Sequence, residues 1–199
     1  MKLVFMGTPD FSVPTLQKLI ESEFELACVV TRPDKPSGRG RRMTSPPVKC
    51  LAESVGIPVL QPDLLEEEAF LDRLRQYEAD LFVVVAFVIL PRVLLEIPRL
   101  GSVNLHPSLL PRYRGAAPIN WAIIRGETET GITVFRLTGR VDAGDMLSQE
   151  RISIGPDESA GELYERLKDI GAEAILNTVR DLAAGPVHPR SQGEDGVSR

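Results

Sequence analysis

The chain has 199 residues, a net charge of −5 at neutral pH and 43% hydrophobic residues, which suits one sizeable domain with a real core. No apolar run approaches the roughly 18 residues needed to span a bilayer. Residues 1–7 have a short apolar core but no cleavage-type flank, and read as a first strand, not a signal peptide.

In chain order, residues 2–6 read as a strand and residues 14–22 as a helix, with Leu16, Leu19 and Ile20 at helical spacing. Between them, Gly7-Thr8-Pro9-Asp10 lacks the G-x-G-x-x-G of dinucleotide folds and reads as a tight turn. Residues 25–31 form a second strand and residues 58–60 a short third. Across residues 66–77, Phe70, Leu74 and Tyr77 mark one face of an amphipathic helix. Residues 79–88 are almost unbroken apolar sequence, as expected of a central parallel strand covered on both faces. Residues 86–91 beyond it read as core followed by a Pro-initiated helix, or as one wall of an aromatic-ligand pocket. Ser102–His106 is the next strand. This alternation predicts an α/β doubly wound sheet with right-handed crossovers. Residues 132–137 and 146–154 are two further strands across a Gly-containing turn. Residues 159–182 form a long helix with Leu163, Leu167, Ile170 and Ala174 on one face. From residue 185 the sequence loses all periodicity, so a domain over 1–184 is followed by a linker or tail over 185–199.

Charge is uneven. Residues 32–49 carry Arg32, Lys35, Arg39, Arg41, Arg42 and Lys49 against Asp34 alone, a basic loop on an otherwise acidic chain. Such a loop is an electrostatic footprint for a polyanion, or a solvated loop with no partner. Cys28 falls in a strand and Cys50 in a helix pattern; together they fit a reducing cytoplasm and no disulfide framework. No His/Cys/Asp/Glu cluster has metal-ligand spacing and no Ser or Cys sits in a nucleophile elbow, so the expected chemistry is direct transfer without metal.

The pattern richest in chemistry is Asn104-Leu105-His106-Pro107-Ser108-Leu109-Leu110-Pro111-Arg112-Tyr113-Arg114-Gly115. In a strand, Asn104 and His106 point to the same face. They would bring an oxyanion donor and a group able to move protons near neutral pH into one site. Ligands of open α/β sheets bind beyond such carboxyl strand ends. Asp142, in Gly139-Arg140-Val141-Asp142-Ala143-Gly144-Asp145, is either a turn residue or a carboxylate that raises the pKa of His106 and orients it.

Several segments follow one another along the chain: Val4-Phe5-Met6-Gly7-Thr8-Pro9-Asp10-Phe11, Thr31-Arg32-Pro33-Asp34-Lys35-Pro36-Ser37-Gly38-Arg39-Gly40, Ser45-Pro46-Pro47-Val48-Lys49, Gly56-Ile57-Pro58-Val59-Leu60-Gln61-Pro62, the stretch from Asn104 to Ile119, and the stretch from Thr130-Gly131 to Asp142-Ala143-Gly144-Asp145. Taken together they resemble the formyltransferases that use 10-formyltetrahydrofolate, and among them the methionyl-tRNA formyltransferases. The resemblance implies the formyltransferase fold, a Rossmann-like, doubly wound, mostly parallel sheet flanked by helices. It implies a catalytic triad of Asn104, His106 and Asp142, with Ser108, Leu109, Leu110 and Pro111 as a folate-binding tetrapeptide. The pterin is expected beside Phe87, Val88 and Leu90 and the loop around residues 137–142. The basic loop, with Arg32, Lys35, Arg39, Arg41 and Arg42, is expected against the tRNA acceptor stem. The implied reaction is formyl transfer from 10-formyltetrahydrofolate to initiator methionyl-tRNA, by a cytoplasmic monomer, with a protonated His106. The implied alternative acceptor is an amino-sugar nucleotide. Residues 86–91 depart from the family's Ala-Tyr-Gly-x-Ile-Leu-Pro by being one residue shorter and lacking the Gly. The family continues into a C-terminal tRNA-binding domain, so residues 185–199 are expected to lead toward one outside this chain.

Overall fold

The computed structural model describes residues 1–37 and 42–193. The chain divides into two compact units, Met1–Ser102 and Val103–Arg199.

The first unit runs β1 (Lys2–Gly7), a short 3-10 turn (Asp10–Ser12), α1 (Val13–Ile20), β2 (Glu25–Val30), β3 (Lys35–Ser37), β4 (Arg42–Thr44), α2 (Pro47–Ser54), β5 (Val59–Leu60), α3 (Glu68–Gln76), β6 (Leu81–Val85) and α4 (Arg92–Leu95). Four strands pair in parallel in the order β5-β2-β1-β6. Leu3 to Met6 and Leu81 to Val85 are buried at every position, because a central parallel strand is covered on both faces. Burying each such Leu, Val or Phe is worth about 1.5–3 kcal/mol. The apolar run is longer than the strand it forms. Pairing stops at Val85 because Ala86 turns to φ 47, a left-handed conformation that ends the extended chain. In α3 the buried face is Phe70, Leu71 and Leu74; Tyr77 falls at the helix end and is half-buried.

β3 and β4 form a small antiparallel hairpin that the periodicity did not announce. Its base is tied by Asp34. That carboxylate accepts from Lys49 at 2.8 Å, from Gln61 at 2.7 Å and from Ser45 at 3.0 Å. The Lys49 and Gln61 hydrogen bonds hold the Asp34 carboxyl down at about 2. Lys49 is therefore neutralised within the structure and does not belong to the cationic surface of the loop.

The second unit holds β7 (Ser102–His106, beginning at the last residue of the first unit), α5 (Pro118–Ile124), β8 (Glu129–Arg136), β9 (Met146–Ser153) and α6 (Ala160–Ala184). β7, β8 and β9 pair antiparallel. α6 starts at a capping box: the Ser159 hydroxyl accepts from the Glu162 amide, and the Glu162 carboxylate accepts from the Ser159 amide at 2.9 Å. Leu163, Leu167 and Ala174 are buried as their spacing predicts, while Ile170 is only half-buried. At Gly171 a side chain would meet Leu105 of β7. No described helix is long and apolar enough to cross a membrane.

Candidate active site

β7 delivers Asn104 and His106. Its register sets Asn104 opposite Phe135 and His106 opposite Thr133 on β8, and the two side chains share one face of the strand. His106 is 5% exposed and Asn104 is half-buried. The His106 Nε2–H donates to the Tyr113 carbonyl at 2.7 Å. A carbonyl can only accept, so Nε2 carries the hydrogen in the neutral ring, and Nδ1 presents its lone pair. That lone pair faces Asp142 Oδ2 at 3.7 Å, beyond a hydrogen bond. The same Oδ2 accepts from the Gly115 amide at 2.8 Å.

Each partner is fixed by its own surroundings. Tyr113 has φ 58, a strained conformation that persists only where neighbours over-determine it. Its phenol donates to Glu127, which also accepts from Arg112. The Arg125 guanidinium lies 5.3 Å and that of Arg112 5.6 Å from the ring centroid, a cation–π arrangement. These contacts aim the Tyr113 carbonyl at His106. Asp142, at φ 47, sits in the loop joining β8 to β9. The loop is closed where the Arg136 amide donates to the Asp145 carbonyl at 2.9 Å.

Where the sequence suggested a protonated His106, burial pushes the imidazole below its ordinary pKa of 6.5, against the opposing effects of Asp142 and the Tyr113 carbonyl. Unfolded His106 therefore binds a proton that the folded protein does not. Its contribution to stability is complete above about pH 6.5 and falls away as pH drops toward the folded pKa. His106→Asn should flatten the dependence of Tm on pH below about 6.5. An unchanged dependence in that variant would contradict the burial argument.

Ser108, Leu109 and Leu110 are buried, and the Leu110–Pro111 peptide bond is cis. Thr133 ties this segment down. Its hydroxyl donates to the Ser108 carbonyl at 2.7 Å and accepts from the Leu110 amide at 3.2 Å and from Gln149 at 2.9 Å. Gln149 also donates to the Leu110 carbonyl at 3.1 Å. Thr133 and Gln149 read in sequence only as strand positions, so nothing marked them as loop anchors. Tyr113 and Gly115 lay inside the motif, but they act through backbone atoms that residue type does not reveal.

In the first unit, Phe87 and Val88 are half-buried and Leu90 is buried. Residues 63–67 and 89–91 line a cavity of about 540 Å³, within the range of small-molecule sites. Of the basic loop, Arg32 is exposed, with its carbonyl accepting from Gln61. Lys35 is exposed on β3 and Arg42 belongs to β4. Arg39 and Arg41 lie outside the described residues.

The formyl transferase family matches residues 1–179. The chain belongs to the formyl transferase family. Among its relatives, the methionyl-tRNA formyltransferase of Geobacter metallireducens is 52% identical over 195 residues, covering 98% of this chain and 63% of the relative. The chain thus spans less than two thirds of that relative's length. Two solved structures share the fold. Phosphoribosylglycinamide formyltransferase from Anaplasma phagocytophilum superposes with a TM-score of 0.78 at 23% identity, covering 99% of this chain and 97% of that one. The N-formyltransferase from Helicobacter canadensis, in complex with folinic acid and dTDP-3-aminofucose, gives 0.73 at 20% identity, covering 100% and 70%. The formyl transferase fold is Rossmann-like, with a mostly parallel sheet and flanking helices, as the strand–helix alternation predicted.

Proposed function

We propose that the chain transfers the formyl group of 10-formyltetrahydrofolate to the amine of initiator methionyl-tRNA, in the cytoplasm and as a monomer. The observation that carries this reading is the His106–Asp142 pair beside Asn104, in a chain 52% identical over 195 residues to a methionyl-tRNA formyltransferase.

In this reading the amine attacks the formyl carbon, and the carbonyl oxygen becomes an oxyanion. Asn104 donates its side-chain amide to that oxyanion. His106 takes the proton shed by the amine at Nδ1, the nitrogen left free by the Tyr113 hydrogen bond. The imidazolium so formed is stabilised by Asp142 on one side and the Tyr113 carbonyl on the other. His106 then returns the proton to the departing folate nitrogen as the carbon–nitrogen bond breaks. Free His106 is thus a neutral base and becomes charged only during turnover, when Asp142 matters most. Such acid–base help is worth about 10²–10⁴ in rate.

Phe87, Val88 and Leu90 are the proposed wall for the donor's ring system. The neighbouring cavity suits it, since Leu64, Ile89 and Pro91 supply apolar surface and Asp63, Glu66 and Glu67 can accept from pterin N–H groups. Ser108, Leu109, Leu110 and Pro111 are proposed to bind folate as a segment held in shape by Thr133 and Gln149. Arg32, Lys35, Arg39, Arg41 and Arg42 are proposed to meet phosphates of the acceptor stem.

The test offers the protein 10-formyltetrahydrofolate with methionyl-tRNA and, in parallel, with an amino-sugar nucleotide. Formylated methionyl-tRNA is expected, with weaker RNA binding and a shallower salt dependence after Arg32→Ala and Lys35→Ala together. Product on the sugar alone would move the chain to a different acceptor class.

A further inference from the structure

The sequence beyond α6 has the composition of a linker, yet its residue Gln192 reaches the candidate site. The reciprocal hydrogen bonds between Met146 and Arg190, both 2.8 Å, lay the segment alongside the start of β9. Two residues on, the Gln192 Nε2 donates to the Asp142 carbonyl at 3.0 Å and to the Gly144 carbonyl at 2.7 Å. Its Oε1 accepts from Arg114 Nε at 3.0 Å and Nη2 at 2.7 Å. All the donors and lone pairs of the carboxamide are thereby used.

Gln192 therefore grips the backbone of the Asp142 turn at two points and ties it to Arg114. Arg114 adjoins Tyr113, whose carbonyl holds His106, and Gly115, whose amide holds the Asp142 carboxylate. Asp142 itself is strained at φ 47 and needs such external support to persist. We propose that Gln192 is a positioning residue, setting the Asp142 carboxylate against His106 by clamping the turn that carries it. This rests on the formyl-transfer reading for its catalytic consequence, but not for its structural one.

Glutamate at this position keeps the acceptor for Arg114 and adds a charge, but it removes both donors and turns an oxygen toward two carbonyls. Alanine removes everything. In the full chain, Gln192→Ala and Gln192→Glu are both expected to lower kcat by about tenfold or more, with KM for both substrates within about twofold. The Gly115 amide proton should move upfield in the NMR spectrum of both variants and exchange faster, because its carboxylate acceptor has shifted. Wild-type kcat in Gln192→Glu would mean that only the Arg114 contact counts, and would overturn the proposal. So would an unshifted Gly115 amide in both variants. The amide readout needs no acceptor substrate, so it decides the positioning role even if methionyl-tRNA is not formylated.

Discussion

Asn104→Ala is expected to lower kcat by about 10²–10³, the usual cost of removing one oxyanion donor, while KM and Tm stay near those of the parent. The side chain is half-buried on the same strand face as His106. It is bracketed by the buried core residues Val103 and Leu105, which carry the packing of the strand. A donor that acts mainly on the transition state affects kcat and kcat/KM alike and leaves substrate binding alone. Asp142→Ala should fall at least about tenfold through a different route, by withdrawing the charge that stabilises His106 once it takes the amine's proton. Single-turnover formyl transfer by the two variants, with Tm measured alongside, checks both. Undiminished turnover in both would remove these residues from the mechanism.

Gly144→Ala is the second large effect, and it tests the loop rather than the side chains. A methyl group at residue 144 would overlap the carbonyl oxygen of Arg136. That oxygen is main chain within a closed hairpin, where the Arg136 amide already donates to Asp145, so it cannot swing aside as a flexible side chain would. The loop must shift instead, carrying Asp142 away from His106. Overpacking of this kind costs about 1–3 kcal/mol, and a displacement of the carboxylate by about 1 Å would cost on the order of 10² in rate. Gly139 is the control in the same loop, since a side chain there meets nothing within 4 Å. Gly139→Ala should leave Tm and turnover close to those of the parent. Equal behaviour of the two variants would show that the loop adapts freely and that its shape does not set the site.

Much of the fold was legible because apolar spacing reports burial directly. Lys2–Gly7, Ser102–His106 and Ala160–Ala184 all appear within a residue or two of where their periodicity put them. The extent of β6 was not legible. Ala86 is as apolar as its neighbours, and only its backbone angle ends the strand. The β3–β4 hairpin escaped because three-residue strands carry too little pattern to register.

By itself the sequence determined the types of the elements, the side of β7 that Asn104 and His106 share, and the concentration of cations between residues 32 and 42. These follow from local geometry, where spacing fixes direction. Only the tertiary structure decided that Asp142 meets His106 across 36 residues, that Lys49 is spent on Asp34, and that Gln192 belongs with the site. It also set burial against the expected charge of free His106. Sequence shows a carboxylate that would raise the imidazole's pKa, but not the burial that lowers it further, because desolvation depends on what the whole chain packs around the ring.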